Sequence, residues 1–470
     1  MRTSGRSKPS GWRVRPREQR SILLIGDLLI AYLSLGLAIY AWSLRDQWDL
    51  TFFSNRVQAW YYLVPLVWML MLVELYDTRR ANNWRLTIRG VILAGLTGLV
   101  CYAVVFFLVD RPLARIGIAF FLAFASVLTL IWRLVYIGIF TAPAFMRRVL
   151  IVGAGDAGRT IVEAYRQLWP PPFYLVGFAD DNPAKQGQKF VEYPVLGGCD
   201  RLLEIIEQEG ISDLVIAITG EMQGSTFQAI LDAQERGAEV TPMPALYEEL
   251  MGRVPVHHLE SEWLIRSFVV EARVNGFYET AKRLLDLLTS LVGLVICGLL
   301  YPLLALVIAI DTGFPIIYSQ VRSGKGGRPY RIHKFRTMIQ DAEKDGKARM
   351  ASESDDRVTR VGHFLRRSHL DELPQFWNVL RGEMSMVGPR SERPEWVAHF
   401  EKQIPFYRAR LLVKPGITGW AQVNYGYVAT VEETTIKLEY DLYYIKHRDL
   451  LMDFTILLRT VGQMIGFRGR

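Results

Sequence analysis

The chain has 470 residues, of which 50% are hydrophobic and 22% are charged, and its formal net charge is +8. This length exceeds one ordinary domain, and the apolar composition excludes a disordered tail, a disulfide-rich secreted scaffold and a collagen-like rod. Excess Lys and Arg on so apolar a chain favours a membrane protein whose basic loops face anionic lipid or a phosphorylated substrate, rather than nucleic acid. The three widely spaced cysteines indicate neither a disulfide nor a zinc site.

Four apolar runs dominate the first 146 residues. A basic arm, residues 1–20, carries seven Arg or Lys, and runs of about 20 residues or more follow at 21–44, 57–76, 88–109 and 116–140. Because basic residues concentrate in the arm, in the second loop and after the fourth run, the positive-inside rule predicts four transmembrane helices over 21–146 with residue 147 onward in the cytoplasm. Asp27, Glu74 and Arg133 lie in or beside these runs, where pairing or snorkelling is favoured and a transport path is the alternative.

Short apolar strands alternate with helical stretches over residues 147–245, a pattern that predicts a Rossmann-like α/β domain with a parallel sheet. Gly153, Gly155 and Gly158 form a GxGxxG loop after the first strand, and Asp180 follows about 25 residues later. Such a loop lets a pyrophosphate approach a helix N-terminus while the acidic residue binds a ribose hydroxyl. NAD or another nucleotide is the expected ligand, and a domain kept only for assembly or regulation is the alternative. Residues 246–278 form a connector.

A fifth apolar run, residues 284–310, decides the topology. Pro302 interrupts it and removes a helical hydrogen bond, and the chain beyond it is strongly basic. Both features favour a re-entrant helix-break-helix hairpin over residues 279–312 that enters and leaves by the cytoplasmic face, with a full crossing as the alternative. Residues 313–470 then form a small mixed α/β domain at the membrane surface.

Basic residues surround two adjacent carboxylates in this last domain. The stretch Lys325–Arg336 and several later arginines supply cations, and Asp371 and Glu372 lie among them. Cations of this kind screen phosphates, while a carboxylate can serve as a nucleophile or hold a metal. Neighbouring residues on a helix do not share one face, so we expect the two carboxylates to have different roles. A helix-end cap is the alternative interpretation of the pair.

These residues carry a resemblance to a known family. Residues from about 279 to 470 resemble the bacterial sugar transferase family, the monotopic phosphoglycosyl transferases. The matching motifs are AKRLLD before the interrupted apolar run, KFRTM (Lys334–Met338), the segment Asp355–Arg390 and KPGITGWAQVN (Lys414–Asn424). With the preceding helices and α/β domain, the chain is similar to long-form members that initiate exopolysaccharide, capsule or O-antigen synthesis in the bacterial inner membrane.

The resemblance implies an activity and a site. A hexose 1-phosphate would pass from a UDP-sugar to undecaprenyl phosphate, with release of UMP. Asp371 would be the nucleophile that forms a covalent phosphosugar-aspartate intermediate, and Glu372 would bind Mg²⁺ or assist proton transfer. Pro302 would break the hairpin. The residues implied to hold the phosphates or the sugar are Lys334, Arg336, Arg367 and Arg390.

Two other functions remain open at this stage. A membrane-anchored NAD-dependent nucleotide-sugar dehydratase or epimerase would use the glycine loop together with a Tyr-x-x-x-Lys pair, Tyr278 and Lys282. A non-enzymatic polysaccharide assembly scaffold would leave the carboxylate pair inert. A homodimer is a further expectation, since the N-terminal helices and the α/β domain have no evident catalytic part. Tyr425-Gly426-Tyr427 replaces the Gly-Arg-Asn that is frequent in shorter relatives, which leaves the transferred sugar open.

Overall fold

The computed structural model describes residues 16–45, 59–76, 81–108, 115–141, 146–259, 276–339, 355–426 and 430–465. The chain forms two compact units, Met1–Leu246 and Tyr247–Arg470. Most of the predicted basic arm and residues 260–275 of the predicted connector lie outside the described residues.

Long apolar helices account for three of the four predicted N-terminal spans. They are α1 (Pro16–Arg45), α3 (Trp84–Leu108) and α4 (Arg115–Phe140). Each contains a stretch long and apolar enough to cross a membrane. The chain is therefore a membrane-anchored protein, as its composition predicted.

The second predicted span is different. Within residues 59–76 the chain forms a 3₁₀ turn (Ala59–Leu63), the short helix α2 (Val64–Met71) and a second 3₁₀ turn (Val73–Tyr76). The Leu72 N–H is shared between the carbonyls of Trp68 and Met69, at 3.2 and 3.1 Å, which marks the change from α-helical to tighter winding. Within the described residues, the apolar helical stretch Ala59–Met71 is shorter than a membrane-spanning helix, so the second predicted transmembrane helix is not confirmed.

One buried ion pair ties the membrane helices together. Arg133 on α4 donates to Asp27 on α1 over 2.5 Å and to the Leu75 carbonyl over 2.9 Å, and both charged side chains are at most 1% exposed. Pairing is thus confirmed for Asp27 and Arg133. The Glu74 side chain lies outside the described residues.

A six-stranded sheet forms the core of the rest of the first unit. Its strands are β1 (Arg148–Val152), β2 (Tyr174–Ala179), β3 (Lys189–Phe190), β4 (Tyr193–Gly197), β5 (Asp213–Ile216) and β6 (Glu239–Pro242). Their order is β3-β4-β2-β1-β5-β6, and all pairs are parallel except β3 with β4. The helices between the strands are α5 (Asp156–Arg166), α6 (Leu202–Glu209) and α7 (Gly224–Glu235). The predicted α/β alternation is confirmed.

The helix α8 (Met243–Met251) follows β6, and a 3₁₀ turn (Val256–His258) comes after it. The next described element is α9 (Gly276–Thr312), which is one helix through Pro302. A helix of 37 residues is about 55 Å long. The expected break into two helices at Pro302 is therefore not confirmed by the secondary structure.

The two faces of α9 differ in character. Its buried residues from Asp286 onward recur every three or four positions, except across the seven positions between Cys297 and Leu304, which include Pro302: Asp286, Ser290, Gly293, Cys297, Leu304 and Ile308. The exposed apolar side chains recur in the same way on the other face: Leu284, Leu288, Leu291, Val295, Leu299, Leu303, Leu306 and Ile310. This helix packs on the protein with one face and presents a continuous apolar stripe with the other.

Small sheets and short helices complete the second unit. An antiparallel hairpin joins β7 (Ile317–Ser323) to β8 (Pro329–Phe335), and β9 (Ser385–Val387) pairs in parallel with β10 (Gly416–Thr418). The helices are α10 (Arg360–Arg367), α11 (Gln375–Arg381), α12 (Pro394–Phe400), α13 (Trp420–Asn424), α14 (Val431–His447) and α15 (Leu450–Ile465). One core, which includes Val387, Trp420 and Leu442, joins β9, α13 and α14.

Candidate active site

The two carboxylates lie on a single tight turn between α10 and α11. Asp371 and Glu372 belong to a 3₁₀ turn (Leu370–Glu372), and His369 before it has φ +57°. A histidine in this left-handed region is strained, and such strain is typical of functional sites. Both carboxylates are buried, with 7% and 9% of their surface exposed. The turn therefore holds two acidic groups side by side inside the domain.

The ammonium group of Lys334 lies close to both Asp371 and Glu372. Lys334 on β8 lies 2.6 Å from a Glu372 carboxylate oxygen and 4.0 Å from an Asp371 carboxylate oxygen. Arg390 donates to the same Glu372 oxygen over 3.1 Å. The sequence predicted that the carboxylates would point to different faces, but both lie within 4.0 Å of Lys334. Lys334 and Arg390 are thus brought together with the pair, as predicted.

The surroundings shift the pKa values of the two acids in opposite directions. Burial raises the pKa of Asp371 to about 6, because the nearby cations only partly offset the loss of water and Glu372 adds a like charge. Burial acts on Glu372 as well, but Lys334 and Arg390 outweigh it and hold its pKa well below the usual range. Glu372 is therefore firmly ionised, while Asp371 titrates close to neutrality. Opposite shifts in adjacent acids are a common feature of catalytic sites.

The predicted arginines fall in three different places. Arg390 is 43% exposed, so its guanidinium remains open to a ligand. Arg336 donates to the Gly313 carbonyl and thereby fastens the end of β8 to the exit of α9. Arg367 lies on the exposed face of α10.

Arg366, one of the later arginines that supply cations to this domain, is a site residue that was not among those implied to hold the phosphates or the sugar. Its charge lowers the pKa of Asp371, and its Nε donates to the Thr337 hydroxyl over 2.9 Å. The helical spacing was the available signal, since Arg366 lies one turn after Gly362, which is buried on the inner face of α10. Position in the helix, rather than residue type, distinguishes it from Arg367.

A buried arginine supports the loop that carries Arg390. Arg410 is 4% exposed and donates to the Arg390 carbonyl over 2.9 Å, to Asp441 over 2.8 Å and to the Tyr407 hydroxyl over 2.8 Å. Glu392, just beyond the loop, receives a bond of 2.7 Å from Lys437. These charged side chains hold the backbone of the loop that carries Arg390.

The acidic pair fits magnesium only together with a substrate. Among the described residues, no group of three or more His, Cys, Asp or Glu side chains forms a metal cluster. Mg²⁺ is commonly held by one or two carboxylates plus substrate phosphates and water, and Glu372 can supply one such carboxylate. The protein ligand would then be Glu372.

The glycine loop of the α/β domain fits a nucleotide only in part. Gly153 has φ +109°, a side chain there would collide with the Ala217 carbonyl, and Gly155, just before α5, has open space around it. Asp180, however, accepts from the Ala154 N–H over 2.8 Å and from Lys185 over 3.1 Å. The glycines leave room for a phosphate, but the carboxylate expected to bind ribose is already engaged by its own chain.

The Tyr-x-x-x-Lys pair has a structural role. Tyr278 donates to Asp453 over 3.0 Å, and Lys282 donates to the same carboxylate oxygen over 2.8 Å and to Tyr444 over 3.1 Å. Asp453 is fully buried on α15. The pair therefore anchors the start of α9 within the second unit, and this geometry does not support its use in dehydratase or epimerase chemistry.

Known proteins resemble this chain over both units. Residues 277–466 match the model of the family described as "Bacterial sugar transferase", and residues 71–228 match that of a "CoA-binding domain". A UDP-N-acetylgalactosamine-undecaprenyl-phosphate N-acetylgalactosaminephosphotransferase of Aeromonas hydrophila is 33% identical over 84% of this chain and 90% of its own length. The chain belongs to the bacterial sugar transferase family.

Two further relatives align with different fractions of this sugar transferase. A UDP-glucose:undecaprenyl-phosphate glucose-1-phosphate transferase of Klebsiella pneumoniae is 41% identical over 67% of each chain. A putative undecaprenyl-phosphate N-acetylgalactosaminyl 1-phosphate transferase of Bacillus subtilis is 44% identical over 147 residues, which are 31% of this chain and 81% of that protein. The shared region of the Bacillus protein is thus most of that molecule but less than a third of this one.

Replacing Arg410 tests the support behind the Arg390 loop. Arg410→Met leaves the buried Asp441 without its partner, so we expect a loss of about 3–5 kcal/mol in unfolding free energy. Arg408→Met is the matched control, because Arg408 is largely exposed and lies 3.4 Å from Glu401; we expect a change of about 0.5 kcal/mol or less. Thermal unfolding of the detergent-solubilised variants measures both, and equal stabilities would contradict this role for Arg410.

Proposed function

We propose that this protein transfers a hexose 1-phosphate from a UDP-sugar to undecaprenyl phosphate with release of UMP, as the first membrane step of exopolysaccharide, capsule or O-antigen synthesis. The observation that carries the proposal is the pair Asp371 and Glu372, buried side by side within reach of Lys334, with Arg390 bonded to Glu372. The names of the relatives supply the substrate classes.

The proposed reaction has two displacements at phosphorus. An Asp371 oxygen attacks the sugar-bearing phosphorus of the donor, and the bond from that phosphorus to the bridging oxygen breaks, so that UMP leaves. An oxygen of the lipid phosphate then attacks the same phosphorus and the bond to Asp371 breaks, which restores the carboxylate. Covalent catalysis of this kind separates the departure of UMP from the arrival of the lipid.

Glu372 suits an electrostatic role better than a proton-transfer role. A carboxylate whose pKa is held low is a weak base near pH 7. The lipid phosphate is itself an anion at this pH and needs no base before it attacks. We therefore assign Glu372 to holding Lys334 and Arg390 in place and to binding Mg²⁺, which would neutralise diphosphate charge when bound.

We also propose that α9 stays in one leaflet of the membrane. Near its start, Tyr278 and Lys282 bond Asp453; near its end, Ile308 packs in one cluster with Phe335 and Leu365. Both ends thus contact the same charged domain, which must stay in water. This favours a re-entrant path with residues 147–283 and 313–470 in the cytoplasm of a bacterial inner-membrane protein.

The α/β domain completes the proposal. Its five parallel strands, numbered in chain order, lie in the order 3-2-1-4-5, which favours a Rossmann-like domain. We propose that a nucleotide, NAD included, would place its phosphates at Gly153, Gly155 and Gly158, and that Asp180 would have to release Lys185 to bind a ribose. Self-association through the N-terminal helices or this domain remains part of the proposal, and cross-linking in membranes tests it.

UMP release tests the proposed reaction. Membranes carrying the protein receive a panel of UDP-sugars with Mg²⁺ and undecaprenyl phosphate, and Asp371→Asn is compared with the unchanged chain. We expect lipid-dependent UMP from one sugar or a few, and a loss of at least about a thousandfold in the variant, because the amide oxygen is a poor nucleophile. A phosphosugar adduct on Asp371, seen by intact mass, would support the covalent step. A folded Asp371→Asn protein with full activity would exclude this nucleophile.

The pH dependence follows from the sign of the Asp371 shift. The nucleophile must be ionised, so kcat/KM should fall about tenfold per pH unit below a pKa of about 6. Lys334→Gln removes a cation that favours the ionised form, which should move this decline to higher pH. Lys325→Gln, on the exposed turn between β7 and β8, is the control and should leave the profile in place. A profile that Lys334→Gln lowers without shifting would contradict the electrostatic role of Lys334.

Cysteine labelling tests the path of α9. In a chain whose native cysteines are replaced by serine, Lys325→Cys should react with an impermeant maleimide only after the cells are opened. Glu207→Cys, an exposed position of the α/β domain, is the reference and should behave in the same way. Labelling of residue 325 in sealed cells would show that α9 crosses the membrane.

A further inference from the structure

A segment before the residues matched to the transferase family is built into the core of the second unit. We call residues 247–259 the strap. Val254 and Val256 are 0% and 1% exposed and belong to the same cluster as Val387 and Trp420. A plain surface linker would not bury such side chains. The strap is therefore part of the packed unit although the family match begins only at residue 277.

Backbone groups of the strap bond two helices. The Val254 N–H donates to the Glu439 carbonyl on α14 over 3.1 Å. The Trp420 indole N–H, at the start of α13, donates to the Gly252 carbonyl over 2.8 Å, and Trp420 is only 6% exposed. A buried N–H that loses its acceptor costs about 1–3 kcal/mol. The strap thus satisfies a group that would otherwise be stranded.

Charged pairs hold the strap on α14. Arg253 lies 3.2 Å from the buried Glu439 carboxylate. Lys446 bonds the buried Glu248 carboxylate over 3.0 Å, and His447 lies 2.7 Å from it. A buried carboxylate requires a cation or several donors nearby. Glu439 on α14 therefore needs the strap, and Glu248 in the strap needs α14.

Direct contacts lead from the strap to the reaction centre. Gly419, next to Trp420, lies so close to Gly388 that a side chain at 419 would come within 2.2 Å of the Gly388 carbonyl. The Gly388 N–H also donates to the Thr418 carbonyl over 2.9 Å. Two residues beyond Gly388, Arg390 donates to Glu372. Three successive contacts thus join Gly252 to the acidic pair.

We propose that the strap positions the donor site of the transferase: it fixes Trp420 and, through the contact of Gly419 with Gly388, the loop that presents Arg390 to Glu372 and to the donor diphosphate. This inference rests on the transferase function proposed above. Since residue 247 directly follows the α/β domain in the chain, the strap is also the covalent route by which that domain would act on the reaction.

The test uses full-length protein in detergent with Arg253→Ala, which removes the partner of Glu439, and Arg253→Lys, which keeps the charge. Arg236→Ala, which removes an exposed pair with Glu207, is the control. We expect Arg253→Ala to raise the donor KM about five- to tenfold with a smaller change in kcat, and Arg253→Lys to restore most of the loss. In a chain that already carries Arg390→Ala, Arg253→Ala should add little, because both changes act on the same loop.

Amide hydrogen exchange tests the positioning role of the strap independently of the proposed transferase function. Arg253→Ala should speed exchange of peptides covering 384–392 and 414–424, with no change in the α/β domain. Unchanged exchange in both peptides would overturn the positioning role, whatever the activity. If Arg253→Ala lowered the melting temperature but left the donor KM unchanged, the strap would contribute only to stability. The same would follow if the effects of Arg253→Ala and Arg390→Ala on the donor KM multiplied in the double variant. If the unchanged protein released no UMP but the two peptides responded, the transferase proposal would fail and the strap would still position this loop.

Discussion

The ammonium of Lys334 makes it possible for two adjacent carboxylates to lie buried on one turn. Without a cation, Asp371 and Glu372 would repel each other in a medium of low dielectric constant, and one of them would take up a proton. Because Lys334 lies much nearer Glu372 than Asp371, it stabilises the negative charge of Glu372 more strongly, and Asp371 is the acid that titrates. The chemistry of the site follows from this asymmetry.

The position of Lys334 depends in turn on the hairpin and on α11. Lys334 lies opposite Tyr318 in the register of β7 and β8. Asn378 on α11 accepts from the His333 N–H over 3.2 Å and donates to the Arg331 carbonyl over 2.7 Å, which fastens β8 to the helix that follows the acidic turn. A one-residue slip of the hairpin would turn Lys334 to the other face. Regular secondary structure therefore sets the distance that controls the two pKa values.

The sequence predicted the parts of the molecule that rest on periodicity and on long motifs. Three apolar spans and the α/β alternation were available from residue order alone, whereas Lys334 and Arg390 were implied as site residues by the family resemblance. Pro302 removes one helical hydrogen bond, but the helix runs through it, and its nearest buried residues on either side are Cys297 and Leu304. The resemblance implied Arg367, whereas its neighbour Arg366, on another face of α10, is the arginine whose charge acts on Asp371. The strap was predicted only as part of the connector 246–278, since its residues, the first five of which end α8, give no sign in the sequence that α14 packs against them.

The relatives put the strap in context. In the Bacillus protein the shared region makes up most of the molecule, so the transferase unit there has much less chain around it. In the present chain the buried Glu439 carboxylate and the Trp420 indole N–H find their partners in residues that precede that unit. Both groups are costly to leave unpaired, which ties the folding of the transferase unit to a segment joined to the α/β domain. Under the proposal above, the geometry of the Arg390 loop then depends on residues that lie before the stretch matched to the family.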